Sequence, residues 1–118
     1  MSLYSKMLFN NLQNITDRAK KVFLTSSATL TAYSMEVGDL IVHVTTDDAN
    51  AITVTLPSVS EAAGLTYVIR LVTDGGVSCV VQDLGGDASF SDFTMEDAGD
   101  YLVLYSDGTY WYTLVSQD

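Results

Sequence analysis

The stretch YLVLYSDGTYWYTLVSQD, from Tyr101 to Asp118, is apolar at both of its alternating positions. A strand with one side in water carries polar residues at every second position. Here Tyr101, Val103, Tyr105, Tyr110, Tyr112 and Leu114 share one parity around the Asp107-Gly108 turn signal, and Leu102, Leu104, Trp111, Thr113 and Val115 share the other. Asp-Gly favours a two-residue type I′ turn, whose two central residues both need positive φ. That turn pairs Ser106 with Thr109, Tyr105 with Tyr110, Leu104 with Trp111 and Val103 with Tyr112. Such a hairpin needs cover on both sides. One face is expected to close the core. The tyrosine-bearing face is expected to meet a neighbouring subunit, because tyrosine joins a large apolar area to a polar tip. Tyr101, Val103, Tyr105, Tyr110, Tyr112 and Leu114 are therefore the predicted interface.

The rest of the chain after residue 27 carries the same two-residue period. Leu40, Val42 and Val44 alternate with Ile41, His43 and Thr45, and Ile52, Val54 and Leu56 form a second run that Pro57 stops. In TYVIRLVT, Tyr67, Ile69 and Leu71 share one face; Asp74-Gly75-Gly76 then reads as a turn, with VSCVVQ as the partner strand. A weaker strand is expected from Ala88 to Phe93, and a short helical turn is conceivable only in SVSEAAG. With 118 residues there is room for one core. The expectation is an all-β fold, a small antiparallel sandwich or barrel of seven or eight strands spanning residues 28–118, preceded by an arm over residues 1–27.

The arm differs chemically from the body. Lys6, Arg18, Lys20 and Lys21 precede residue 22, where Asp17 is the single acid; beyond it Arg70 is the single base against fourteen acids. Leu8, Leu12, Ile15, Ala19 and Val22 fall on one stripe of a helix, although Asn10, Asn11 and Asn14 are poor helix formers. The arm, helical or extended, is expected either to lie on the β domain or to dock on a partner. Lys6, Leu8, Leu12, Ile15, Arg18, Lys20 and Lys21 are the residues assigned to docking. The Asn14-Ile15-Thr16 sequon is set aside, since MSLYSKMLFNNLQ has no apolar run suited to secretion. No stretch reaches the roughly 18–20 apolar residues of a membrane span. The expectation is a soluble chain made in the cytoplasm. A net charge of −10 opposes direct contact with nucleic acid or an anionic bilayer.

Two segments together resemble a known family. AITVTLPSVSEAAGLTYVIRLVTDGGVSCVVQ, followed by GDYLVLYSDGTYWYTL, is similar to a β module of bacteriophage tail-fibre and head-decoration (cement or head-fibre) proteins. The matching positions are Leu56, Pro57, Gly64, Tyr67, Ile69, Gly76, Val80, Val103, Ser106, Asp107, Gly108 and Trp111, and they cover about residues 51–114. The resemblance implies a virion structural protein and a homotrimer. It places the acidic body outward from a shell built of the major capsid protein or another virion protein. The other expectation is a tail-fibre or tail-tip module that binds a receptor or carbohydrate, with Trp111 stacking on a sugar ring.

Enzyme chemistry is not expected. The chain has one histidine, His43, one cysteine, Cys79, and no G-x-S-x-G elbow. His43 falls mid-strand and reads as a surface or interface residue, and Cys79 reads as a small buried hydrophobe. Asp47, Asp48, Asp83, Asp87, Asp92, Glu96 and Asp97 fall in loops, in no calcium-loop spacing. No metal or other cofactor is expected.

Overall fold

Short runs rich in Val, Ile and Thr, each ended by Gly, Asp or Pro, favour a pleated backbone over a helix. A computed structural model describes residues 20–88 and 92–118. Those residues form nine strands and no helix: β1 (Lys21–Thr25), β2 (Ala32–Ser34), β3 (Ile41–Thr45), β4 (Ile52–Thr55), β5 (Thr66–Thr73), β6 (Cys79–Gln82), β7 (Asp92–Met95), β8 (Tyr101–Ser106) and β9 (Trp111–Gln117). A five-stranded sheet has the order β1-β3-β5-β8-β9, and a four-stranded sheet the order β2-β4-β6-β7.

The all-β expectation holds, but the sheets are mixed rather than antiparallel. β1, β3 and β5 pair in parallel, as do β2, β4 and β6. Parallel neighbours need a crossover, and here each crossover is a strand of the opposite sheet. The chain from β1 to β6 therefore winds as three turns of a flattened coil. β7 then folds back against β6, and β8 and β9 add two antiparallel strands beside β5. The described part of the segment read as an arm includes β1, whose five residues pair with Ile41–Thr45. The rest of that segment up to residue 19 lies outside the described residues.

The winding corrects one pairing. β5 and β6, read as the two arms of a hairpin, lie in different sheets. The corner between them explains this. Gly75 N–H donates to Thr46 Oγ1 at 3.2 Å, Thr46 Oγ1 donates to the Val77 carbonyl at 3.0 Å, and Thr46 N–H donates to the Thr73 carbonyl at 3.0 Å. One turn earlier, Ser26 N–H donates to the Thr45 carbonyl and Asp47 N–H to Ser26 Oγ, both at 2.9 Å. Successive corners thus stack on one another, and the buried hydroxyls of Ser26 and Thr46 are both satisfied. The SVSEAAG segment is a turn closed by Ala62 N–H on the Ser58 carbonyl. The strand expected from Ala88 to Phe93 is displaced to β7, while Ala88 forms an isolated bridge with Trp111 and residues 89–91 lie outside the described residues.

Inward residues of both sheets meet in one core. Val42, Val44, Tyr67, Ile69, Leu71, Leu102, Leu104 and Trp111 come from the five-stranded sheet; Ile52, Val54, Cys79, Val81 and Met95 come from the four-stranded sheet. Parallel register stacks like on like, with Val22, Val42 and Ile69 in one row and Leu24, Val44 and Leu71 in the next. Each fully buried Val, Leu or Ile contributes about 1.5–3 kcal/mol.

The corner at Gly75 supplies a test. A methyl group there would stand 2.3 Å from the Thr46 carbonyl oxygen and 2.5 Å from Asp47 backbone atoms, whereas a methyl at Gly38 meets nothing within 4 Å. Gly75→Ala is expected to lower unfolding free energy by about 1–3 kcal/mol in urea titration, while Gly38→Ala shifts it by less than about 1 kcal/mol.

Candidate interaction surface

The two sheets present unlike outer faces. On the four-stranded sheet, one outward row is Ala32, Thr53, Val80 and Thr94, and the next is Ser34, Thr55, Gln82 and Asp92. These are small or polar side chains suited to water. On the five-stranded sheet, one outward row is Lys21, Ile41, Val68, Val103 and Val115, and the next is Phe23, His43, Arg70, Tyr101 and Gln117. A third places Thr66 beside Tyr105 and Tyr112. The strands of this sheet contain no carboxylate, although the chain carries fifteen acids. Three of its strand residues, Lys21, His43 and Arg70, are basic types. Asp92 is the one acid in any strand; the other acids of the described residues lie outside the strands.

The terminal hairpin supplies much of that face, with a different register. Ser106 pairs with Trp111, Tyr105 with Tyr112 and Leu104 with Thr113. The turn is longer because Asp107 caps it: its Oδ1 accepts from Thr109 N–H at 2.8 Å and Tyr110 N–H at 2.7 Å, and Asp107 N–H donates to the Tyr110 carbonyl at 3.2 Å. Those two amides, the Thr109 contact foremost, hold the Asp107 carboxyl below its ordinary value. Gly108, at φ 96°, takes the left-handed position in the turn. The shift from the expected register is even, so the faces survive it: Leu102, Leu104 and Trp111 are buried. A bulge at Leu114 then sets Val115 opposite Val103, which moves Val115 to the outer face.

Of the predicted interface residues, Tyr101, Val103, Tyr105 and Tyr112 share the outer face, with the Tyr105 and Tyr112 rings stacked at 5.5 Å. Tyr110 stands in the turn, its ring edge-on to Tyr112 at 5.4 Å and its hydroxyl donating to the Ala88 carbonyl at 3.0 Å. Leu114 is the bulged residue on the sheet edge. Trp111 is corrected: it is 1% exposed and packs edge-on against Tyr67 at 5.5 Å, so its ring offers no face to a sugar. The hairpin pattern missed Phe23, Ile41 and Val68 as outward neighbours on the same face. For Ile41 and Val68 the signal was present, since each is an apolar residue on the second parity of its strand, beside His43 and Arg70; Phe23 lies in the segment read as the arm.

Among the docking residues, Lys6, Leu8, Leu12, Ile15 and Arg18 lie outside the described residues. Lys21 is exposed at the start of β1. Lys20 is tied to the body: its Nζ stands 2.7 Å from Asp39 Oδ1 and 3.6 Å from Glu36 Oε2. Asp39 is fully buried, and its other oxygen accepts from Tyr33 Oη at 2.6 Å and Glu36 N–H at 2.8 Å. Burial pulls the Asp39 carboxyl upward, but Lys20, Tyr33 and the Glu36 amide outweigh it and hold it below its ordinary value. Burial, with Asp39 adding to it, pushes the Tyr33 hydroxyl up to about 12. Nothing in the sequence pattern pointed to this cluster.

The remaining reactive types are placed plainly. His43 is half-buried and edge-on to Phe23 at 5.3 Å. Cys79 is buried in the core, and burial pushes its thiol up to about 12, far from the thiolate that a nucleophile needs. A shallow depression lined by Ala51, Asp74, Gly76, Val77, Ser78 and Glu96 brings two carboxylates to one rim with no histidine, cysteine or cation among its lining residues. Among the described residues, no group of three or more His, Cys, Asp or Glu is placed to hold a metal ion.

The Asp39 cluster gives a pH test. A carboxyl held low in the folded chain adds stability above its unfolded value of about 3.9, and that stability is lost as pH falls through the folded value. Unfolding free energy should therefore decline with acid below about pH 4. Asp39→Asn should lower it by about 1–3 kcal/mol near neutral pH and flatten that acid decline, as read by urea titration across the pH series. Compared with known proteins, the chain matches no family model, no curated protein and no solved structure.

Proposed function

We propose that this chain is a non-enzymatic structural protein of a virus particle, of the bacteriophage head-decoration or head-fibre type, that assembles as a homotrimer through its five-stranded sheet. The observation that carries the reading is the unlike chemistry of the two outer faces. One is small and polar. The other is a continuous field of Ile41, Val68, Val103, Val115, Tyr101, Tyr105 and Tyr112 with no carboxylate on its strands. Like-charged copies repel at long range at a net charge of −10. A face cleared of acids is where they approach at least cost. The trimer and the virion setting come from the resemblance of residues 51–114 to phage modules.

In this reading residues 1–19 dock on the shell, supplied by the major capsid protein or another virion protein, and Lys20 locks the arm to the body through Asp39. Docking across shell subunits favours the assembled state by mass action. The acidic loops stay outward, and the protein contacts neither nucleic acid nor membrane. A tail-fibre or tail-tip module that binds a receptor or carbohydrate is the second reading. It is favoured by the exposed Tyr110 and Tyr112 beside Tyr105, not by the buried Trp111.

Light scattering of the full chain should give a mass near three times 12.8 kDa. Val68→Asp should reduce it to one chain without changing the far-ultraviolet circular dichroism. Removal of residues 1–19 should leave the trimer intact and abolish attachment to shells. A truncated chain that still decorates shells would remove the docking role from the arm. Tyr110→Ala should leave shell attachment unchanged; loss of glycan binding with shell attachment preserved would favour the second reading instead.

A further inference from the structure

The four strands at the sheet edges are not alike. β2 has three residues and β7 has four, opened by Asp92, and neither exposes a large apolar side chain. Short or charged edges of that kind resist pairing with another chain. β9 is the opposite: seven residues, WYTLVSQ, with no charge, proline or glycine, and with Leu114 57% and Val115 48% exposed. At the far edge of the same sheet, β1 exposes Phe23 at 71%. Exposed apolar side chains thus mark both edges of the five-stranded sheet and neither edge of the other.

The two edges also fit one another. β1, β3 and β5 are parallel, β8 runs against β5, and β9 runs against β8, so β9 points the same way as β1. Trp111 N–H donates to the Asp87 carbonyl on the side of β9 away from β8, so the edge that no described residue pairs begins at Tyr112. That stretch of β9 laid beside the β1 of a second copy continues the sheet as one more parallel pair. The outward rows that end at Val115 and Gln117 would be carried on by the rows that begin at Lys21 and Phe23. Charge agrees with that direction. β1 opens with Lys20 and Lys21, and the turn that leads into β9 carries Asp107 at the same end of the sheet. Among the described residues, Lys21 enters no ion pair.

We propose that β9 of one copy pairs in parallel with β1 of the next, so that association is head-to-tail. This rests on the self-association proposed above and adds an edge contact beside the outer face that association covers. A contact between two different edges closes into a ring or runs on as a filament, whereas β9 meeting β9 stops at a two-fold dimer.

Two edge variants separate these cases. Phe23→Asp blocks β1 and leaves β9 free; Leu114→Asp blocks β9 and leaves β1 free. With wild type assembled, each variant alone should be a folded monomer by light scattering and circular dichroism, and an equal mixture should form one-to-one pairs at twice the mass of one chain. Assembly of Phe23→Asp by itself, or a mixture that stays monomeric while wild type assembles, overturns the head-to-tail pairing and leaves self-association standing. Wild type that is monomeric throughout overturns both. Should either variant fail to fold, hydrogen exchange on the wild type decides. The β9 amides beyond Trp111 that point away from β8 should be protected at high concentration and exchange freely on dilution, with Trp111 N–H, bonded to the Asp87 carbonyl within the chain, protected throughout. Free exchange in the assembled protein would overturn the pairing.

Discussion

The Thr46 corner holds the architecture together. Its amide, hydroxyl and neighbouring carbonyl tie the turn after β3 to the turn after β5, and Ser26 and Asp47 repeat the link one turn lower. These bonds satisfy buried polar groups that would otherwise cost about 1–3 kcal/mol each. They also fix the height of each turn of the coil on the one beneath it. Once the corners are stacked, parallel register follows, and Val, Ile and Leu fall into rows without further adjustment. The opposite end is held by different means, with Asp39 gathering Tyr33, Glu36 and Lys20, and Tyr67 Oη donating to the Val37 carbonyl at 2.6 Å.

With every acid of the described residues except Asp92 outside the strands, the two sheet faces are free of strong like-sign fields. One face is dressed in Thr, Ser and Gln, and water suffices for it. The other is dressed in Val, Ile and Tyr, and on its strands the charges are basic. Its exposed apolar side chains, Phe23, Tyr112 and Val115, suit contact with a partner.

Strands were legible because their signal is local. Ile52, Val54 and Leu56 before Pro57, and Tyr67, Ile69 and Leu71, alternate as half-buried strands do. Partners were not legible, because pairing is decided at a distance. Asp74-Gly75-Gly76 looks like a hairpin turn, yet Gly75 is small because the Thr46–Asp47 backbone presses on it, and no reading of residues 74–76 alone reveals that. Asp107-Gly108 did mark a turn. The capping reach of the Asp107 carboxylate lengthened it, but the even shift kept Leu102, Leu104 and Trp111 on the core side. Trp111 was misjudged for a simple reason: aromatic clustering along the sequence does not say which ring faces inward. Asp39 gave no warning, since a buried aspartate has the same sequence context as a loop one.

Radical footprinting across a concentration series tests the central claim, that copies of the chain cover the outer face of the five-stranded sheet. Tyr105 and Tyr112 should lose reactivity as concentration rises, while Leu84, an exposed loop residue 67% accessible, keeps its own. Equal reactivity of those tyrosines at every concentration would contradict the account.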